Sequence, residues 1–388
     1  VDVRFDAPLG VAVDSSGNVF VVDTFNNTIR KGLPIVEARI TTAPQSQTVV
    51  VGDIVTLIVI AAGTPPFTYQ WRKNGVNIAG ATSATLTLTN VAPTVAGNYT
   101  VVVTNAAGSV TSTAGTLTVA FTRLINLSIL TSLATAGDTF TLGYVVGGSG
   151  TSGLKPLVIR AAGPSLGALG VPGTLEDPKL ELFAGSVKTG ENDNWGGSAT
   201  IANAMAAVGA FAYTGPTSRD AAAALSVASG DNSVKVSSVD NGTGTVIAEI
   251  YDATPSNSFA GTTRRLVNVS VLKQLGTGFT VGFVVGGSGT KNVLVRANGP
   301  TLGSAFGVPG VVSDPQFTLY SGQTAMASND NWGGGSTLAS AFSSVAAFAL
   351  PATSRDAAVV AGLNPGRYTV QVSGVGGATG IILVEIYE

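Results

Sequence analysis

From Arg123 to its end this chain is written twice. The first copy runs to about Asp252 and the second from about Arg265 to Glu388. The same words recur in the same order: RLINLS and RLVNVS, VVGGSG, IRAAGPSLG and VRANGPTLG, GVPG, NDNWGG, AFA, TSRDAA and EIY. A duplication with so few insertions means one valine-rich unit folds twice, and whatever one copy builds the other can build. Neither copy holds a histidine or a cysteine, because none occurs in the 388 residues.

That absence removes the commonest general base and metal ligand, together with disulfide staples and thiolate sites. Carboxylate-only catalysis is the remaining enzymatic route. The pairs that would serve it are Asp193 with Asp220 and Asp330 with Asp356. Charged residues are 11% of the chain and the net charge is −2, so no basic field exists to hold nucleic acid or an anionic membrane. Mean hydropathy is high at +0.39, yet the longest apolar run, Ile54 to Ala62, is too short to span a bilayer and reads as a buried strand. Val and Thr with 50 glycines favour strands and tight turns. The length predicts several domains. A chain that begins at Val1 without Met or leader reads as processed, or as the C-terminal part of a longer precursor.

Residues 1–33 alternate apolar and polar around a turn, with Val11 and Val13 before Ser15-Ser16-Gly17-Asn18 and Val19 and Val21 after it. Pro8, Gly10, Asp14, Asp23 and Ile29-Arg30 complete a pattern that resembles one NHL repeat, a blade of a β-propeller. A propeller needs about four to eight blades, and here there is one. A lone blade must lean on a neighbouring domain, pair with another chain, or be the remnant of a propeller upstream.

Residues 34–121 carry short strands at turn-punctuated spacing, the pattern of a β-sandwich. They resemble a bacterial immunoglobulin-like domain of the intermediate type. The resemblance implies that Trp71 is the core tryptophan and Tyr99 the corner tyrosine. Val59 and Val101 stand where the family has its cysteines, and Val95 where it usually has an acidic residue. Apolar packing of the two valines would then replace the bridge.

Each repeat, 122–252 and 264–388, opens with alternating strands: Leu124–Leu130 and Phe140–Val146, then Leu266–Leu272 and Phe279–Val285. Three-to-four spacing over Thr200–Ala212 and Thr337–Ala349 predicts one short helix per copy. The closing hairpins resemble the bacterial pre-peptidase C-terminal β-sandwich. The whole module resembles tandem C-terminal modules of large secreted proteins of Gram-negative bacteria. Residues 253–263, with Pro255, Ser256, Asn257 and Gly261, read as a linker. The expected class is therefore all-β: a multidomain string of β-sandwiches, immunoglobulin-like plus two duplicated jelly-roll-like modules, preceded by one orphan propeller-type blade.

Three motifs suggest sites. In the NDNWGG loops, Asp193, Asn194, Asp330 and Asn331 offer hard oxygens to calcium, with Asp177 or Asp314 completing a shell; an Asx turn explains the same residues. Calcium is the one cofactor the sequence suggests. Trp195 and Trp332 are either sugar-stacking platforms or plugs of the sandwich end. Arg160, Arg219 and Asp220, with Arg296, Arg355 and Asp356, invite one buried ion pair per copy. The function expected is non-enzymatic and extracellular: a fibre or surface-adhesin subunit forming homopolymers through the blade and the sandwich edges. The alternative is a carbohydrate-binding or cell-surface-anchoring appendage of a larger secreted enzyme, with polysaccharide as partner.

Overall fold

The structure, a computed structural model, describes residues 4–255 and 258–388. Val1 and, in the expected linker, Ser256 and Asn257 lie outside the described residues. The chain divides into a unit ending at Val119 and a unit beginning at Ala120.

In the first unit, β1 (Pro8–Val13), β2 (Val19–Asp23) and β3 (Thr28–Gly32) form an antiparallel sheet in that order. Its turn residues act as expected: Asp14 accepts from the Ser16 and Asn18 backbone nitrogens at 2.9 Å each. Of its described residues only Asp23 is buried, and it gathers the Asp6 nitrogen, Asn26 and Arg30. This sheet is held by polar loop contacts, and none of its side chains belongs to a described apolar core.

The immunoglobulin-like part comprises β4 (Arg39–Thr42), β5 (Gln47–Val50), β6 (Val55–Ile58), β7 (Ile60–Ala62), β8 (Thr68–Lys73), β9 (Val76–Asn77), β10 (Thr85–Leu88), β11 (Gly97–Asn105), β12 (Gly108–Thr111) and β13 (Gly115–Ala120). Trp71 is fully buried, pairs in register with Val101 across β8 and β11, and shares a core with Val59. Its indole donates to the Ser83 carbonyl at 2.9 Å. The Tyr99 hydroxyl donates to the Val95 carbonyl at 2.7 Å, closing the tyrosine corner. The cysteine-free core is thus assembled as the immunoglobulin-like resemblance implies.

In the second unit copy one supplies β14 (Thr122–Leu133), β15 (Phe140–Gly147), β16 (Lys155–Ala162), α1 (Pro164–Ala168), β17 (Pro178–Ala184), β18 (Val187–Asn192), α2 (Ala199–Ala207), β19 (Ala221–Val227), β20 (Gly230–Ser238) and β21 (Gly244–Asp252). Copy two repeats the series: β22 (Arg265–Leu275), β23 (Phe279–Gly287), β24 (Lys291–Asn298), α3 (Pro300–Phe306), β25 (Pro315–Ser321), β26 (Thr324–Asn329), α4 (Ser336–Ser344), β27 (Ala357–Leu363), β28 (Gly366–Gly374) and β29 (Gly380–Tyr387). Numbering the eight strands of a copy in chain order, they pair 1-8-3-6 and 2-7-4-5, which is jelly-roll connectivity. The predicted helices form at α2 and α4. A second helix per copy, α1 and α3, was not expected; it starts at the proline of the GPSLG and GPTLG words, whose missing N–H costs nothing at a first helical position.

The all-β multidomain class holds, but the two copies are not successive beads joined by a linker. β14 pairs with β23 and β15 with β22, so each copy's first strand extends the other copy's sheet. The result is two eight-stranded sheets, β19-β16-β21-β14-β23-β28-β25-β26 and β18-β17-β20-β15-β22-β29-β24-β27. One apolar core runs between them, with Leu127, Ile129 and Leu142 of copy one beside Val269, Phe283 and Val384 of copy two. The physical reason is edge satisfaction: strands one and two would each leave an unpaired edge in an isolated copy, and the duplicate supplies the missing partner.

Candidate functional site

In the first unit, Leu9 (77% exposed), Val11 (71%), Val13 (64%) and Ile29 (69%) stand in solvent on the N-terminal sheet. Alternation places Val11 and Val13 on one face and Val22 and Ile29 on the other, so apolar side chains are uncovered on both. β1 and β3 are the sheet's two edges, and β1 carries no charge to blunt pairing.

The second unit treats its surface differently. Within each sheet, the half built from strands 1, 8, 3 and 6 of one copy is capped by that copy's helices. Beneath α2, Trp195, Met205 and Tyr213 pack on Val158 and Ala222; beneath α4, Trp332 and Phe342 pack on Leu294 and Ala358. The other half of each sheet is bare. A groove of about 770 Å³ opens at the step between capped and bare halves, where the turn after α2 overhangs the β14–β23 junction. Its wall is fixed from behind. Arg160, fully buried, donates through Nε to Glu249 at 2.6 Å and through Nη1 to the Phe211 carbonyl at 2.6 Å, with the Phe211 ring 3.8 Å from its guanidinium carbon. The Tyr251 hydroxyl donates to the other Glu249 oxygen at 2.7 Å. Burial, then the Glu249 charge, pushes the Tyr251 phenol above its ordinary range. The floor is low because Gly282 faces Ser128: a Cβ there would come within 2.6 Å of the Ser128 hydroxyl.

The ion pairs of the two copies therefore differ from the expected ones. Arg160 and Arg296 pair with Glu249 and Glu385 of the EIY words, not with Asp220 and Asp356. Each aspartate instead holds a GP-S/T turn. Asp220 accepts from the Gly163 nitrogen at 2.8 Å and from the Ser165 nitrogen and hydroxyl; Asp356 does the same with Gly299 and Thr301. Arg219 and Arg355 are exposed and reach Asp177 and Asp314. The reversal follows from register. Arg160 sits opposite Glu249 across β16 and β21, and Arg296 opposite Glu385 across β24 and β29.

Trp195 and Trp332 are buried plugs, their indoles donating to the Gly215 and Pro351 carbonyls, so neither offers a face to a sugar. Asp193, Asn194 and Asp330 are exposed, as is Asn331. Among the described residues no group of three or more His, Cys, Asp or Glu is placed to hold a metal ion. The anchor of each loop is the asparagine one place earlier, which the sequence reading passed over. Asn192 and Asn329 accept from the Ala222 and Ala358 nitrogens and donate to the Asn194 and Asn331 carbonyls. Gly197, at φ +66°, gives the loop the left-handed turn expected of the Gly-Gly pair. The carboxylate pairs do not face a shared cleft: Asp193 and Asp330 stand in solvent while Asp220 and Asp356 are buried and occupied by turn hydrogen bonds. No described helix is long and apolar enough to cross a membrane.

Residues 39–105 match the immunoglobulin-domain family. No curated protein matches the chain. Among solved structures, it is similar to titin domain M7 at 29% identity, over 23% of this chain and 98% of that one, with a TM-score of 0.21. The titin M10–obscurin-like 1 immunoglobulin complex gives 29% identity over 22% of this chain and 94% of that one (TM-score 0.20). The tandem immunoglobulin repeats of Dlar give 18% identity over 28% of this chain and 73% of that one (TM-score 0.21). The chain is thus a modular protein with an immunoglobulin-like β-sandwich.

Proposed function

We propose that this chain is a non-enzymatic extracellular structural subunit that assembles with copies of itself, its N-terminal sheet being the docking element. The observation that carries the reading is the sheet's exposure: an antiparallel sheet with Val11 and Val13 bare on one face, Ile29 on the other, and both edges open. Three strands without apolar cover are marginal in water, and exposed apolar patches mark contact sites. A second chain can cover the faces and pair with the edges at once, and repetition of that contact propagates a fibre. The non-enzymatic reading is supported by the absence of histidine and cysteine and by the structural occupation of Asp220 and Asp356.

Deleting residues 1–33 should leave the rest folded and convert polymer to monomer in light scattering. Continued assembly of the truncated chain, or a full chain that stays monomeric at high concentration, overturns the proposal.

A further inference from the structure

The two bare half-sheets descend from one duplicated surface, yet they carry opposite chemistry. In copy one, Lys179, Glu181, Lys188, Glu191 and Lys235 form an ion-pair network on the outer face, for example Lys188 to Glu181 at 2.6 Å and Lys179 to Glu191 at 2.9 Å. The matching positions of copy two are Gln316, Thr318, Ala325, Ser328 and Gln371. Every one of those charges is gone. Where copy one has Asp231, copy two has Arg367, the single charge introduced on this face; it is exposed, and no ion pair or hydrogen bond of its guanidinium is described.

The groove opens onto this uncharged face. Cross-strand register lines up Glu249, Ser128, Gly282, Thr369 and Tyr320 in one row, and Tyr251, Asn126, Val284 and Arg367 in the row beside it. Both rows start at the groove wall and run outward over strands about 4.8 Å apart. Hydroxyls and side-chain amides can donate and accept, which suits sugar hydroxyls. The planar guanidinium fork of Arg367 matches a carboxylate, and the ring of Tyr320 can lie on the apolar face of a pyranose. A protein partner fits poorly, because the face lacks the apolar or aromatic centre that anchors such interfaces.

We propose that the groove and the uncharged face of β23, β28 and β25 form a binding track for a carboxylate-bearing polysaccharide. Arg367 takes a carboxylate at the groove mouth, Ser128, Thr369 and Gln371 take hydroxyls, and Tyr320 closes the track. This site is separate from the Trp195 and Trp332 loops and does not depend on self-assembly.

The test is calorimetric titration of the full chain with oligogalacturonate and, in parallel, with neutral gluco-oligosaccharide. Binding of the acidic oligomer alone is expected, weakening as salt rises. Arg367→Ala should weaken it by about tenfold or more, the loss of one charge-assisted contact. Arg367→Glu should abolish it, and both variants should keep the parent melting temperature because the side chain is exposed. Asp231→Ala, on the opposite half-sheet, should bind as the parent does. Failure of the folded chain to bind oligogalacturonate, equal binding of the neutral oligomer, or indifference to both Arg367 variants overturns the proposal. So does loss of self-association in Thr369→Ala or Tyr320→Ala with no change in glycan binding, which would make this face a chain-to-chain contact.

Discussion

The N-terminal sheet and the duplicated body are both built from valine-rich antiparallel strands, and they dispose of their apolar surface in opposite ways. The body closes on itself. Its two sheets face each other across one core, helices cap half of each outer surface, and the remaining halves are polar. Its outer strands are also blunted: β18 is short and carries Lys188 and Glu191, and the β17–β18 and β25–β26 pairs are bulged. The N-terminal sheet shares the edge provisions, with a bulge at Pro8–Gly10 and Arg30 and Lys31 on β3, but none of its described side chains lies in an apolar core. Strand content alone therefore does not say whether a sheet's apolar faces are covered; the location of the cover does.

The comparison breaks first, and hardest, at the buried ion pairs. Glu249→Gln leaves Arg160 charged in an interior where its Nη2 already has no partner. Loss of one member of a buried pair should destabilise the body by about 3–5 kcal/mol, read as the midpoint of denaturant unfolding. A loss below about 1 kcal/mol would mean that water reaches Arg160 and that the cap is looser than the geometry indicates.

The converse applies at the N-terminal sheet. Val11→Thr with Val13→Thr should change the melting of a dilute chain by no more than about 0.5 kcal/mol, as expected of exposed positions. The same pair should reduce assembly in light scattering. A core-sized drop in stability would show that another part of the same chain covers this face.

A smaller effect sharpens the comparison within the body. Burial raises the Asp177 carboxyl above its ordinary range; the exposed Arg219 opposes the shift, and the Asp193 and Asp240 charges add to it. A folded-state pKa above the unfolded one means the folded chain holds that proton more tightly. The stabilisation it brings is present in acid and lost as the pH rises through the folded value. Asp177→Asn should flatten stability across that acid window and melt slightly above the parent at neutral pH. A parent whose stability instead rises through the window would place Asp177 in a net favourable pair with Arg219.

Much of this was legible in the sequence. Period-two alternation located the opening strands of both copies, and Trp71, Tyr99, Val59 and Val101 sit where the resemblance to an immunoglobulin-like domain implied. What alternation does not encode is the partner across a strand's outer edge. The pattern of β14 is the same whether that edge faces solvent or β23, so the crossed joining of the copies was hidden. For the same reason, an ion pair was expected among Arg160, Arg219 and Asp220, whereas register gives Arg160 a glutamate 89 residues away. Trp195 was ambiguous because burial of a loop tryptophan depends on what the loop folds onto. The groove was invisible, being a step between layers, but the loss of Lys179, Glu181, Lys188, Glu191 and Lys235 from the second copy was there to be read.

The crossed joining also sets an order of events. The nitrogen of Leu124 is hydrogen-bonded to the side chain of Glu388, 264 residues along the chain. β14 cannot complete its pairing until β23 has been synthesised, and β22 must wait for β29. Contacts of such separation carry a large loop-closure cost and are associated with slow folding. While copy one waits, its first two strands present open edges of the kind its own duplicate will later fill. The body therefore becomes a closed unit only once its last strand, β29, has joined β22 and β24.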